Sequence, residues 1–212
     1  MLRLVLLAVF SLTLYGQSVP DTTGILRGVE KRYNTTSTLQ ANFAITFKER
    51  GRPHLPEKGV LYLSKQGGVS RTRWEYSVPP GKVFLSDGKF IYDYDKDKNI
   101  AERTPYKETE DMRIPLSFLL GKLDFNKDFE RFDTKLDGAN TSITMTPRNK
   151  NLLFKEIAIT VAPDSTIRRV IVTDQPGTSV MDYALDSEQR NLKLPDTLFK
   201  FAIPGAKIVD VK

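Results

Sequence analysis

The residues able to do chemistry are few and poorly matched to catalysis. The chain has one histidine, His54, in the loop segment Gly51-Arg52-Pro53-His54-Leu55-Pro56, and no cysteine. Nucleophilic catalysis of the Ser-His type needs a placed serine and an orienting acid beside that imidazole. A proline-flanked loop histidine is better read as solvated. One histidine without cysteine also leaves too few ligands for an ordinary zinc site. Asp93, Asp95 and Asp97 are spaced by two, as in the start of a calcium loop, but the glycine and glutamate that complete such a loop are missing. Tyr94 and Lys96 between them fit a strand running into a turn. No glycine-rich phosphate loop is present. The expectation is a binding protein that is not an enzyme and carries no cofactor or metal.

What recurs instead is aromatic and aliphatic residues at spacing two. Leu39, Phe43 and Phe47 share one parity, as do Leu61 and Leu63, Trp74 and Tyr76, Val83 and Leu85, and Phe90, Tyr92 and Tyr94. Side chains two apart on a strand point to one face. These twelve are the candidate lining of an apolar cavity, with Phe84 competing for the inside against Val83 and Leu85. The same pattern also describes an ordinary core of cross-strand pairs.

The elements that must position them follow from periodicity and turn residues. Asp21 to Tyr33 reads as a helix, with Ile25, Leu26, Val29 and Tyr33 on one face. Strands are expected over Leu39 to Lys48, Lys58 to Lys65, Ser70 to Tyr76, Lys82 to Ser86, Lys89 to Asp95 and Lys98 to Thr104. Pro79-Pro80-Gly81 and Asp87-Gly88 supply turns. Pro115 to Leu120 reads as a short helix ended by Gly121, apolar almost all round. Strands resume over Asp128 to Leu136, Thr141 to Thr146, Leu153 to Val161, Ile167 to Asp174 and Thr178 to Leu185, and a last tract spans Leu198 to Ile203. About eleven strands with short links predict a mainly β (α+β) chain whose antiparallel sheet curls into an incomplete barrel.

The chain has 212 residues, 40% hydrophobic and 27% charged, with a formal net charge of +6. This is a globular balance with interleaved charges, which argues against a nucleic-acid partner. Arg3 followed by the apolar run Leu4 to Leu14 reads as an export signal ending near Gly16, too short to span a bilayer. One domain is then expected over residues 17 to 212. Without cysteine, the exported chain has neither disulfides nor a lipid-bearing N-terminal cysteine, so a soluble periplasmic protein is expected.

Several segments, in order, resemble the periplasmic outer-membrane lipoprotein carrier family, LolA. They are GVLYLSK (Gly59 to Lys65), RTRWEYSVPPGKVF (Arg71 to Phe84), LSDGKFIYDYD (Leu85 to Asp95), IPLSFLLG (Ile114 to Gly121) and LPDTLFKFAIPGAKIVD (Leu194 to Asp210). The resemblance implies an incomplete barrel lidded by helices. Its cavity takes the acyl chains of lipidated proteins released by an inner-membrane ABC transporter complex and passes them to an outer-membrane acceptor. It implies a monomer, a lid containing Ile114, Leu116, Phe118 and Leu119, and a lid contact at Lys65. The family often has arginine then proline where this chain has Lys65 and Gln66, and a bulky aromatic where it has Thr72. A carrier or sensor of another lipid or lipoprotein on the same half-barrel is the alternative.

Overall fold

A computed structural model describes residues 20–108, 119 and 122–211. The expected signal segment, residues 1–16, and the lid residues Ile114, Leu116 and Phe118 lie outside the described residues.

Helix α1, Thr22–Asn34, starts where Asp21 accepts a hydrogen bond from the Gly24 amide, and it buries Leu26, Val29 and Tyr33. The strands are β1 Thr38–Glu49, β2 Arg52–Pro53, β3 Glu57–Ser64, β4 Arg71–Val78, β5 Val83–Ser86, β6 Phe90–Asp95 and β7 Ile100–Pro105. A four-residue helix, α2 Phe125–Asp128, leads into β8 Phe129–Asp137, β9 Asn140–Pro147, β10 Phe154–Val161, β11 Ile167–Asp174, β12 Ser179–Arg190 and β13 Lys207–Asp210.

All belong to one sheet, ordered β13-β7-β6-β5-β4-β3-β1-β12-β11-β10-β9-β8, with β2 a short addition on β1. Pairing is antiparallel except between β13 and β7. Ile91 of β6 and Ile143 of β9, far apart in strand order, share one buried cluster with Leu26, Val29 and Tyr33 of α1. The sheet therefore curls around α1, while its edge strands β13 and β8 stay unpaired with each other. Register shifts in β1 (Gln40/Asn42), β3 (Lys58/Gly59) and β10 (Phe154/Glu156) tighten the curl, since a bulge adds local twist. Gly59 sits at one shift. A Cβ there would meet the Glu75 carbonyl oxygen at 2.0 Å and the Phe43 ring at 2.8 Å, so a side chain would push β3 off β4.

Most strand expectations hold, and Ile167–Asp174 has the expected ends. Two do not. Strand β12 continues to Arg190, past the expected end at Leu185. The tract Leu198 to Ile203 is not a strand: Asp196–Phe199 forms a 3-10 turn, and β13 comes later.

Candidate functional site

Residues directly opposite in an antiparallel ladder share a face, so register decides what the sheet encloses. Phe43, Gly59 and Tyr76 are aligned across β1, β3 and β4, and Ala41, Leu61 and Trp74 form the next row. Leu39 and Leu63 continue the face, and Phe47 ends it at the rim. Trp74 is the hub: the Phe43 ring lies 4.8 Å away and the Tyr183 ring 5.8 Å away, with Tyr76 5.1 Å from Phe43. Seven of the twelve expected lining residues thus meet on the concave face.

The other five do not. Trp74 pairs with Phe84, so Phe84 points inward and its neighbours Val83 and Leu85 point outward. Ser86 pairs with Ile91 and Leu85 with Tyr92, which carries Ile91 inward and Phe90, Tyr92 and Tyr94 outward. Spacing gives the right grouping within each strand but the wrong parity between β4 and β5. The turn at 79–82 sets that parity by the number of residues it consumes, and an alternating strand with apolar residues on both faces hides the error. Phe84, Ile91 and Tyr183 are the concave residues that spacing missed.

The outward aromatics are buried by the chain's own end. Phe201 stacks on Tyr92 at 5.0 Å with planes 4° apart, and it also meets Tyr94. Phe199 lies under the Arg71 guanidinium at 5.0 Å, while Arg73 donates to the Leu198 carbonyl at 3.2 Å. Leu85 and Ala101 are fully buried beneath this tract. A second, smaller core therefore backs the half of the sheet that holds Trp74.

The concave face is closed rather than open. Leu61 and Trp74 are 0% exposed, in one buried cluster with α1 and with Leu119, the one residue expected in the lid that is described. Helix α1 is held by polar ties near its end. The Tyr33 hydroxyl donates to Glu188 Oε2 at 2.6 Å and accepts from the Ile167 amide at 3.0 Å. Arg32 Nη2 pairs with Glu188 Oε1 at 2.6 Å. Burial, and then the Glu188 charge, push the Tyr33 phenol well above its ordinary pKa, so it remains a donor. Lys65 Nζ donates to the Asn34 carbonyl at 3.2 Å. Lys65, expected to contact the lid, thus grips the last residue of α1. The Asn34 side chain donates to the Leu123 carbonyl (2.9 Å) and accepts from its amide (2.7 Å), and the Phe125 amide donates to Glu30 (2.8 Å).

Two polar atoms on the face, Thr72 Oγ1 and Trp74 Nε1, are buried with no hydrogen-bond partner among the described residues. The other singled-out residues are local. Asp95 accepts from the Asp97 and Lys98 amides and pairs with Lys98 Nζ at 2.9 Å, closing the β6–β7 turn. His54 packs on Phe47 with ring centres 4.6 Å apart, 3.7 Å from the Glu49 carboxylate.

The model of the outer membrane lipoprotein carrier protein LolA family matches residues 34–202. The outer-membrane lipoprotein carrier protein of Nitrosospira multiformis is 27% identical over 96% of this chain and 95% of its own length. That of Nitrosomonas europaea is 23% identical over 96% of each. Among solved structures, an uncharacterized conserved protein from Thermus thermophilus superposes with a TM-score of 0.53 at 16% identity, covering 89% of this chain and 98% of its own. MucB gives 0.51 at 12% identity, covering 89% of this chain and 65% of its own. These two likenesses concern the fold. The family match spans β1 to β12 together with the tract over the outer core, and by it the chain belongs to the LolA outer membrane lipoprotein carrier family.

Proposed function

We propose that the chain is a periplasmic carrier whose concave face holds the acyl chains of a lipidated protein on its way from the inner to the outer membrane. The observation that supports this best is the Trp74-centred wall. It is continuous over β3, β4, β1 and β12, and among the described residues it is covered by α1, whose end is tied down by a few polar contacts, and by Leu119. An acyl chain entering between α1 and the wall takes over contacts now made by Leu26 and Val29. Each buried methylene contributes about 0.8 kcal/mol. Displacing α1 from the wall offsets part of that gain, so cargo is held against water and still released. Recognition through apolar area suits varied cargo, because no polar group of one substrate is read. An inner-membrane ABC transporter complex as donor and an outer-membrane acceptor complete the reading by family membership.

Trp74 is the chain's one tryptophan, so it reports directly. Titrating the protein with a diacylated lipopeptide should change Trp74 emission and saturate at one lipopeptide per chain, while the same peptide without acyl chains should do nothing. Saturable binding of free phospholipid with no response to the lipopeptide would replace this reading with carriage of another lipid. No response to either would reject the face as a binding site.

A further inference from the structure

The loop joining β1 to β3 is built more elaborately than a connection requires. Lys48 pairs with Pro53 and Glu49 with Arg52, closing a two-residue turn at Arg50-Gly51 with φ of 48° and 77°. Both central residues are left-handed, as in the tight hairpin turn that favours glycine at the second position. The Arg50 amide donates to the Thr178 carbonyl at 2.6 Å and the His54 amide to the Phe47 carbonyl at 2.8 Å. His54 is further fixed by its packing on Phe47. Beside this ordered hairpin, between His54 and Pro56, Leu55 is 89% exposed; the next most exposed large apolar side chain among the described residues is Leu136 at 54%.

Cations flank it. Glu57 is occupied by Lys82 at 2.7 Å, and Glu49 faces His54. Lys48, Arg50, Arg52 and Lys58 are exposed, and no carboxylate among the described residues forms an ion pair with any of them. A leucine held out in water amid unpaired cations fits a surface that is anionic outside and apolar beneath. We propose that the 48–58 hairpin docks on an anionic phospholipid bilayer, with Leu55 entering the acyl region and the four cations meeting lipid phosphates. The preformed turn and the two prolines leave little chain entropy to lose on docking. Phe47 also ends the concave row of β1, so the docked hairpin brings the rim of that face to the bilayer. This proposal stands apart from acyl-chain carriage, since it concerns binding to a membrane without cargo.

The chain has no cysteine, so Leu55→Cys takes a single environment-sensitive fluorophore. With vesicles containing phosphatidylglycerol, the probe at 55 should shift to the blue. The shift should vanish with phosphatidylcholine vesicles or at high salt, and a probe on Leu136→Cys should stay unshifted. In vesicle co-sedimentation, Arg50→Glu/Arg52→Glu should weaken binding about tenfold or more, and Leu55→Asn about tenfold. Both changes lie on exposed loop positions, and unchanged near-ultraviolet circular dichroism confirms that the variants remain folded. Co-sedimentation with an unshifted probe at 55 would assign membrane binding to another part of the chain and overturn the proposal. Absence of vesicle binding would overturn it too, including the case where the hairpin captures a protein partner.

Discussion

Thr72 places a hydroxyl on an apolar wall. It is 2% exposed, two residues before Trp74 on the same face, and its oxygen has no hydrogen-bond partner among the described residues. A buried polar group without a partner costs about 1–3 kcal/mol. Thr72→Val keeps the branched shape and removes the hydroxyl, so the variant should be more stable by about 1 kcal/mol. That gain would appear as a higher urea midpoint at unchanged slope, and a lower midpoint would show that the hydroxyl has a partner. If acyl chains occupy this wall, the same change should leave lipopeptide binding intact or strengthen it. The inward direction of Thr72 is legible from its spacing to Trp74. Its lack of a partner among the described residues is not, because that depends on how the Ser86 hydroxyl across the ladder is turned: it bonds the Gly88 amide and not Thr72. Lys65 shows the same limit: its place at the end of β3 is readable, but its acceptor, the Asn34 carbonyl, comes from a helix 31 residues earlier.

Among the elements, the C-terminal tract is the least legible. Its two phenylalanines are visible at spacing two and suggest a strand. The chain instead runs unpaired across the outer face of β4 to β6, and pairing resumes only at β13, whose Lys207–Asp210 is too short and polar to signal itself. The misplaced aromatics of β5 and β6 have the same cause. Leu85, Tyr92 and Tyr94 look like cavity lining because they are apolar, and they are apolar because Phe199 and Phe201 cover them. Phe199 is 1% exposed. Phe199→Ala should therefore cost about 3 kcal/mol, within the range for large-to-small core changes. The loss should be local: amide exchange should rise across Ile100–Pro105 and Lys207–Asp210, while the amides of Thr22–Asn34 should keep their protection. Equal loosening of α1 would mean that the two cores unfold as one unit. Strands with one apolar face, such as β1 and β11, are legible nearly to the residue, since alternation against water has one solution. Strands apolar on both faces leave two.

For the whole molecule, the depressed carboxylates lie at turns and edges of the sheet, away from the Trp74 wall. Asp95 is held down by Lys98, Glu130 by Lys150 and Asp210 by Arg103. Asp164 is held down by the Thr166 hydroxyl and amide. At Asp174 burial acts upward, but the Ser179 amide and the Thr178 hydroxyl outweigh it, and the net shift is downward. A carboxylate whose folded pKa lies below its unfolded value favours the folded state above that unfolded value, about 4. The contribution disappears as pH falls through the folded pKa. Acid should therefore destabilise the protein from its perimeter inward. The exposed pairs contribute little each, whereas Asp164 and Asp174 close the β10–β11 and β11–β12 turns through backbone amides. Between about pH 7 and pH 3 the urea midpoint should fall. Amide exchange should rise first around residues 164–166 and 174–179, while Trp74 emission keeps the position of a buried indole. An unchanged midpoint would mean these groups titrate alike in the folded and unfolded chains. A red shift of Trp74 before the turns exchange would place the acid-sensitive contacts under α1 instead of at the perimeter. In that case acid would open the concave face before it loosened the edges.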